Sequence, residues 1–265
     1  MKRNLLVVLR TCTIVNAASG SDRYIKVSKH ELVKHCISSL VNSINQSTHD
    51  IRLVVLDDHS SPEAVADIQT ILSHSAVPTE FIPIVDGSGN GWTMKKVYEQ
   101  VDQKCTDLWY HIEDDYLHTP DAIQDMIDSV DQFEGNTGQM VAINPHDDIW
   151  RYTKQIYDSI LLLGPYRHYR TVKHTTYTCL ASRRLFDTYR QIFQALVDLT
   201  INKEGWVEDR SINQIWNQPG VMLFSPIPGL GFHIMDESGK DPYFDIMRLW
   251  DNTPKLWIKE KNEGI

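Results

Sequence analysis

Three carboxylates in a row, Glu113-Asp114-Asp115, directly follow the apolar run Trp109-Tyr110-His111-Ile112. Carboxylates crowded at a strand end repel one another, so such a cluster usually binds a cation. Oxygen ligands of this kind suit Mg²⁺ or Mn²⁺, which are commonly held by one or two protein carboxylates plus substrate phosphates. A second acidic cluster, Asp57-Asp58-His59-Ser60, ends another apolar run, and a glycine turn, Asp86-Gly87-Ser88-Gly89-Asn90-Gly91, follows a third. That turn lacks the Gly-Lys-Ser/Thr ending of a P-loop, but its glycines allow positive φ and close backbone approach to a ligand. A third acidic group, Glu208-Asp209, sits beside Trp206 before a helical pattern at Ile212, Ile215 and Trp216. An alcohol is a poor nucleophile at neutral pH, so a reaction at a hydroxyl needs a base of this type. His233, in Gly231-Phe232-His233-Ile234, is an imidazole that would favour Mn²⁺ over Mg²⁺ if it ligates.

The elements that must carry these groups alternate. Leu5–Leu9, Ile51–Leu56, Phe81–Val85 and Leu108–Ile112 are short apolar runs without polar alternation, as expected of parallel strands covered on both faces. Between them, Ser28 and Glu31 form a capping box before a 3.6-period stripe from Leu32 to Ile44. Ser61-Pro62 and Thr119-Pro120 open two more helices with proline near the first position. Such a βαβα series predicts a doubly wound, mostly parallel sheet flanked by helices. Ligands of such sheets bind beyond the carboxyl ends of the strands, where Arg10, Thr11, the two acidic clusters and the glycine turn converge. The second half is less regular. Strands are expected at Met140–Ile143, Tyr177–Ala181 and Val221–Phe224, and one amphipathic helix over Leu185–Leu199.

These pieces together resemble the family 2-like glycosyltransferases of GT-A fold: Asp57-Asp58-His59-Ser60 at a strand end, the glycine loop leading into a helix, and Glu113-Asp114-Asp115-Tyr116 followed by Pro120-Asp121. The resemblance covers roughly the first 130 residues. It implies metal-dependent transfer of a sugar from a nucleotide diphosphate, a UDP-sugar by the resemblance alone, to an acceptor hydroxyl. Asp57 and Asp58 would face the base, Arg10 and Thr11 would line its pocket, and Glu113 or Asp114 would hold the ribose. Asn90, Gly91 and Lys95 would lie near the donor. Asp115, completed by His233, would ligate the metal. Asp209, the second member of its pair with Glu208, would be the base, which predicts inversion at the anomeric carbon. The first strand departs from the family, since Arg10-Thr11-Cys12 stands where Pro, an aromatic and Asn are usual.

The chain has 265 residues and a net charge of −9, which argues against a protein that coats nucleic acid with its whole surface. Residues 151–190 nonetheless hold eight Lys and Arg against two acids. Arg167, Arg170, Lys173 and His174 there, interleaved with tyrosines, are the expected acceptor contacts, together with Trp206. A saccharide is the plainer acceptor; a hydroxylated base in DNA, flipped out to react, is the other. No apolar run approaches the ~18 residues of a membrane span. Leu5–Leu9 is cut at five residues by Arg10, below the ~7–15 of a secretion signal. Four widely spaced cysteines without a Cys-x-x-Cys pair read as reduced thiols in a cytoplasmic setting. One domain over 1–265 is expected: a nucleotide-sugar half (1–118), an acceptor half (119–235) and a C-terminal segment (236–265) of open role. The rival readings are a sugar-phosphate nucleotidyltransferase, disfavoured because Arg10–Gly20 supplies no glycine-rich loop followed by basic residues, and a non-catalytic nucleotide- or glycan-binding module.

Overall fold

The computed structural model describes residues 2–14, 23–154, 157–175 and 177–258. The apolar runs form strands β1 (Asn4–Thr11), β2 (Asp50–Asp57), β3 (Thr79–Pro83) and β4 (Leu108–Glu113), all parallel, in the order β3-β2-β1-β4. Each residue of β1 from Leu5 onward is buried, because both sheet faces are covered. Leu5, Val7 and Leu9 pack under α1 (Lys29–Gln46), α2 (Pro62–Leu72) and α4 (Ala122–Thr137). Leu6 and Val8 point the other way, under α3 (Asn90–Lys104), α6 (Arg183–Thr188) and α7 (Arg190–Ile201). Each fully buried Leu or Val contributes roughly 1.5–3 kcal/mol, so the two-sided run holds this strand at the centre.

The helix starts follow local chemistry. Ser28 Oγ accepts from Glu31 N at 3.1 Å, and Ser61 Oγ accepts from Ala64 N at 3.2 Å with Pro62 in the first turn. Gly89 caps α3 at φ +86, a conformation that costs a glycine little. The expected helix over Leu185–Leu199 is two helices, α6 and α7, separated at Tyr189, whose φ of −113 and ψ of 22 leave the helical region. No proline or glycine marks that break in the sequence.

Beyond β4 the sheet continues through β9 (Cys179–Ser182), β6 (Met140–Ile143), β10 (Val221–Ile227), β8 (His168–Val172) and β7 (Leu161–Leu163). Of these, β9 runs antiparallel to both its neighbours, and β8 and β7 add an antiparallel edge. A small second sheet pairs β5 (Tyr116–His118) with β11 (Gly231–His233), setting His233 opposite Tyr116. Short α5 (Trp150–Thr153) follows β6, and α8 (Ile246–Asn252) closes the described chain. Trp250 on α8 stacks on His35 of α1 at 3.8 Å, so part of the 236–265 segment covers the outer face of α1; residues 259–265 lie outside the described residues.

Candidate active site

The carboxyl ends of β1 and β4 open on a cavity of about 320 Å³ lined by Arg10, Thr11, Asp58, Asn90, Glu113 and Asp114, with Cys12, Gly89 and Thr93 between them. Arg10 organises its wall. Its guanidinium closes a 2.5 Å ion pair with Glu113 and donates to Asn90 Oδ1 at 2.9 Å and Thr93 Oγ1 at 3.0 Å. Asp58 ties down the glycine turn by accepting from Gly89 N at 2.6 Å. Asp114 accepts from Cys12 N at 2.8 Å and from Lys29 Nζ at 2.5 Å. Burial pushes the Glu113 carboxyl up, with Arg10 only partly offsetting it, and burial likewise raises Asp114 against the pull of Lys29.

Next to this cavity stand Asp115 and His233. The β5–β11 pairing and the bond from Ile234 N to Asp115 O at 2.9 Å bring His233 Nε2 to 3.4 Å from Asp115 Oδ1. The His233 ring stacks on Tyr116 at 4.8 Å, which fixes its plane. Burial opposes charge on Asp115, yet His233 and Lys29 outweigh it and hold this carboxyl below the usual carboxylate range. Burial opposes charge on His233 as well, and Asp115 holds it above the ordinary imidazole value. Asp115 Oδ1 is buried and makes no well-formed hydrogen bond among the described residues, with His233 Nε2 at 3.4 Å its close polar neighbour. One carboxylate oxygen and one imidazole nitrogen form a donor set that fits Mn²⁺ bound chiefly by a substrate's phosphates. No group of three such ligands occurs among the described residues.

A second cavity, about 420 Å³, lies on the other side of His233 and contains Glu208, Asp209, His174 and Trp206. Asp209 is half exposed; Oδ1 accepts from Asn213 Nδ2 at 2.8 Å and lies 3.5 Å from His174 Nδ1. Glu208 lies close enough to Tyr177 to act on its hydroxyl electrostatically, and the tyrosine ring has the Arg10 guanidinium 5.7 Å from its centre. One tyrosine therefore joins the wall of the first cavity to the acids of the second.

The model of the family described as "Glycosyl transferase family 2" matches residues 28–192, well over half of the chain. The chain belongs to glycosyl transferase family 2. This family 2 domain is a glycosyltransferase domain of GT-A fold. Among solved structures it is similar to S. aureus TarS 1-349, at 11% identity and TM-score 0.50, over 85% of this chain and 60% of that one. TarS 1-349 in complex with UDP-GlcNAc gives the same identity and TM-score over 58% of its chain. A UDP-glucose pyrophosphorylase complexed with UDP-glucose reaches a TM-score of 0.45 at 10% identity, over 95% of this chain and 98% of that one, too distant to support the nucleotidyltransferase reading. The domain thus spans about three fifths of the TarS 1-349 chains it matches. A search of curated proteins finds no match.

Several residues expected at the family 2 site are engaged elsewhere. Asp57 is buried, its oxygens taken by Thr11 Oγ1 at 2.8 Å and Ser60 N at 3.1 Å, so it shapes the turn and only Asp58 faces the donor cavity. Gly91 faces α7, where a Cβ would come within 2.6 Å of the Ile201 backbone nitrogen; the glycine is there for helix packing. Lys95 points away from the cavity and lies over Trp92 at 5.3 Å. The basic island is largely spent. Arg167 is paired at 2.5 Å with both Asp121 and Asp125, Arg170 is buried against Asp147 and over Tyr152, and Arg183 and Arg190 bind Asp102 and Asp187. Lys173 is exposed, 5.5 Å from the Tyr157 ring and outside the second cavity. Of the acceptor set, His174 and Trp206 remain.

Sequence reading missed Lys29 and Asn213, and took Tyr177 only as one of the aromatics among the basic residues of the acceptor side. Lys29 is partly buried in the first turn of α1 and touches the acidic triplet across 85 residues. Only the cap at Ser28 hinted that its side chain would sit at a helix start. Asn213 lies one turn beyond Asp209, a spacing visible in the sequence once the local helix is assumed.

Proposed function

We propose that this domain transfers a sugar from a UDP-sugar to an acceptor hydroxyl with inversion, using Mn²⁺ (or Mg²⁺) held by Asp115 and His233. The observation that carries the reading is the junction at the end of β4: Glu113 and Asp114 face one cavity, and Tyr116 and His233 face the next. The donor cavity would take the nucleoside, with Asp58 and the Glu113–Asp114 pair offering acceptors to base and ribose. Arg10, already bound to Glu113, orients that carboxylate. Asp209, with its carboxylate half in solvent and its orientation set by Asn213, is the base that takes the proton of the acceptor hydroxyl. Placed across the junction from the donor cavity, it favours attack opposite the leaving group. Glu208, beside Tyr177, would position the loop that carries Asp209. A divalent ion bound there would offset the charge of the departing diphosphate. The UDP-GlcNAc complex of TarS supports UDP as the nucleotide. Four free cysteines, three of them buried, support a cytoplasmic setting, and no helix among the described residues is long and apolar enough to cross a membrane.

The test is UDP binding and UDP release from a panel of UDP-sugars, with Mn²⁺ and with EDTA. Asp209→Asn should lower turnover by about 10²–10⁴-fold, the contribution of a general base, while UDP still binds. Metal-independent behaviour, or unchanged turnover in Asp209→Asn, overturns the assignment.

A further inference from the structure

The cavity around Asp209 has a chemistry of its own. Its lining includes three carboxylates, Asp148, Glu208 and Asp209, against one guanidinium, Arg151, with the imidazoles of His174 and His233, the latter already paired with Asp115. That guanidinium is itself buried, with Nε 3.6 Å from Asp148 and 4.0 Å from Asp147. Arg167 and Arg170, the cations expected to draw an anionic acceptor, are locked in ion pairs outside it. A phosphorylated or carboxylated molecule entering beside Glu208 and Asp209 would meet like charge with no lysine or free arginine in the lining to offset it.

The same cavity has two exposed indoles. Trp206 is 81% exposed and Trp150 41%. Trp206 also has φ +56, a left-handed backbone that is a true outlier for a bulky side chain. Strained residues of this kind cluster at ligand clamps. The Trp150 ring stands edge-on to His174, 6.4 Å between centroids, so its position is braced against the segment that lies beside Asp209.

From these observations we infer that the acceptor is an uncharged saccharide, its ring face laid on Trp206 and Trp150 and its hydroxyls bonded by the carboxylates around Asp209. Sugar rings present apolar C–H faces that pack on indole, and hydroxyl edges that donate to carboxylates without adding charge. A cavity of about 420 Å³ is within the ordinary size of a small-ligand site. Nucleic acid is disfavoured on the same grounds, because its phosphates need free Lys and Arg. This inference rests on the transferase reading above.

The experiment uses the full chain with UDP and Mn²⁺, applied to an immobilised panel of neutral, uronate-bearing, sulfated and phosphorylated glycans plus a single-stranded DNA. Wild-type UDP binding is measured in parallel, so that loss of the transferase reading shows as failure to bind UDP. Expected is binding confined to neutral glycans. Trp206→Ala should weaken it by roughly two- to tenfold, the scale of one stacked ring, and Trp206→Phe should restore part of the loss. Because Trp206 is exposed, its removal leaves no core cavity, and an unchanged melting temperature separates a lost contact from a lost fold. With UDP bound normally, retention of the acidic glycans or DNA in preference to neutral ones overturns the inference. So does binding to no glycan, or an unchanged affinity in Trp206→Ala.

Discussion

Arg10 and Glu113 are register partners on neighbouring parallel strands, and their side chains meet at 2.5 Å across the mouth of the donor cavity. Backbone pairing alone brings a cation and an anion 103 residues apart to one point. Both are largely buried, so removing one leaves the other without compensation. Arg10→Ala is expected to cost about 3–5 kcal/mol of stability, as loss of one partner of a buried pair does. It should also weaken UDP binding, since Asn90 and Thr93 lose the group that holds them. Denaturant unfolding and UDP titration check both, and a near-neutral Arg10→Ala would show that the pair is not what shapes this wall.

Gly91 and Ile201 define the contact of α3 with α7. A methyl group at residue 91 would meet Ile201 N at 2.6 Å, a backbone atom that cannot swing aside. Gly91→Ala is therefore expected to destabilise the domain by about 1–3 kcal/mol, the usual cost of overpacking. UDP affinity per folded molecule should stay near wild type, because this position faces away from the cavity. A variant that is fully stable but weak in UDP binding would return Gly91 to the donor site.

Stability should fall as pH drops from about 6.5. Burial holds the His118 imidazole down to about 3, and His35, His111 and His146 are also lowered by burial. Below the unfolded imidazole value of about 6.5, the unfolded chain takes up protons that the folded chain refuses, so acid favours unfolding. Each such group contributes up to about 1.4 kcal/mol per pH unit across this window. His233, raised by Asp115 despite its burial, works in the opposite direction, one imidazole against four. Glu113 and Asp114, raised by burial, also oppose the trend, but only as pH nears the carboxylate range. Unfolding curves at pH 7.5, 6.0 and 5.0 test this. His118→Gln, which keeps a hydrogen-bonding group for the Tyr110 hydroxyl now 2.9 Å from His118 Nε2, should flatten the slope by about one group's share. A slope that is unchanged, or stability that rises toward pH 5, contradicts the assigned neutrality.

The parallel core was readable because its causes are local and repeated. Unbroken apolar runs such as Leu5–Leu9, and caps such as Ser28 and Ser61, are chemistry within a few residues of chain. Strand ends then locate the donor groups, because a parallel sheet aligns its carboxyl ends on one edge; Arg10, Asp58, Asn90, Glu113 and Asp114 all line one cavity. What sequence alone could not decide was how each charge is spent. Arg167 and Arg170 read as a basic surface, but Asp125 and Asp147, distant in sequence, neutralise them inside the fold. Gly91 read as a ligand contact until α7 came to rest against it. The placing of His233 beside Asp115 depends on the two-stranded pairing of β5 with β11, and that of Lys29 beside Asp114 on the packing of α1. A side chain's type and local period are written in its neighbours along the chain. Its partner across a fold is set by packing and burial, where an unpaired charge costs so much that whichever opposite group lies within reach determines its role.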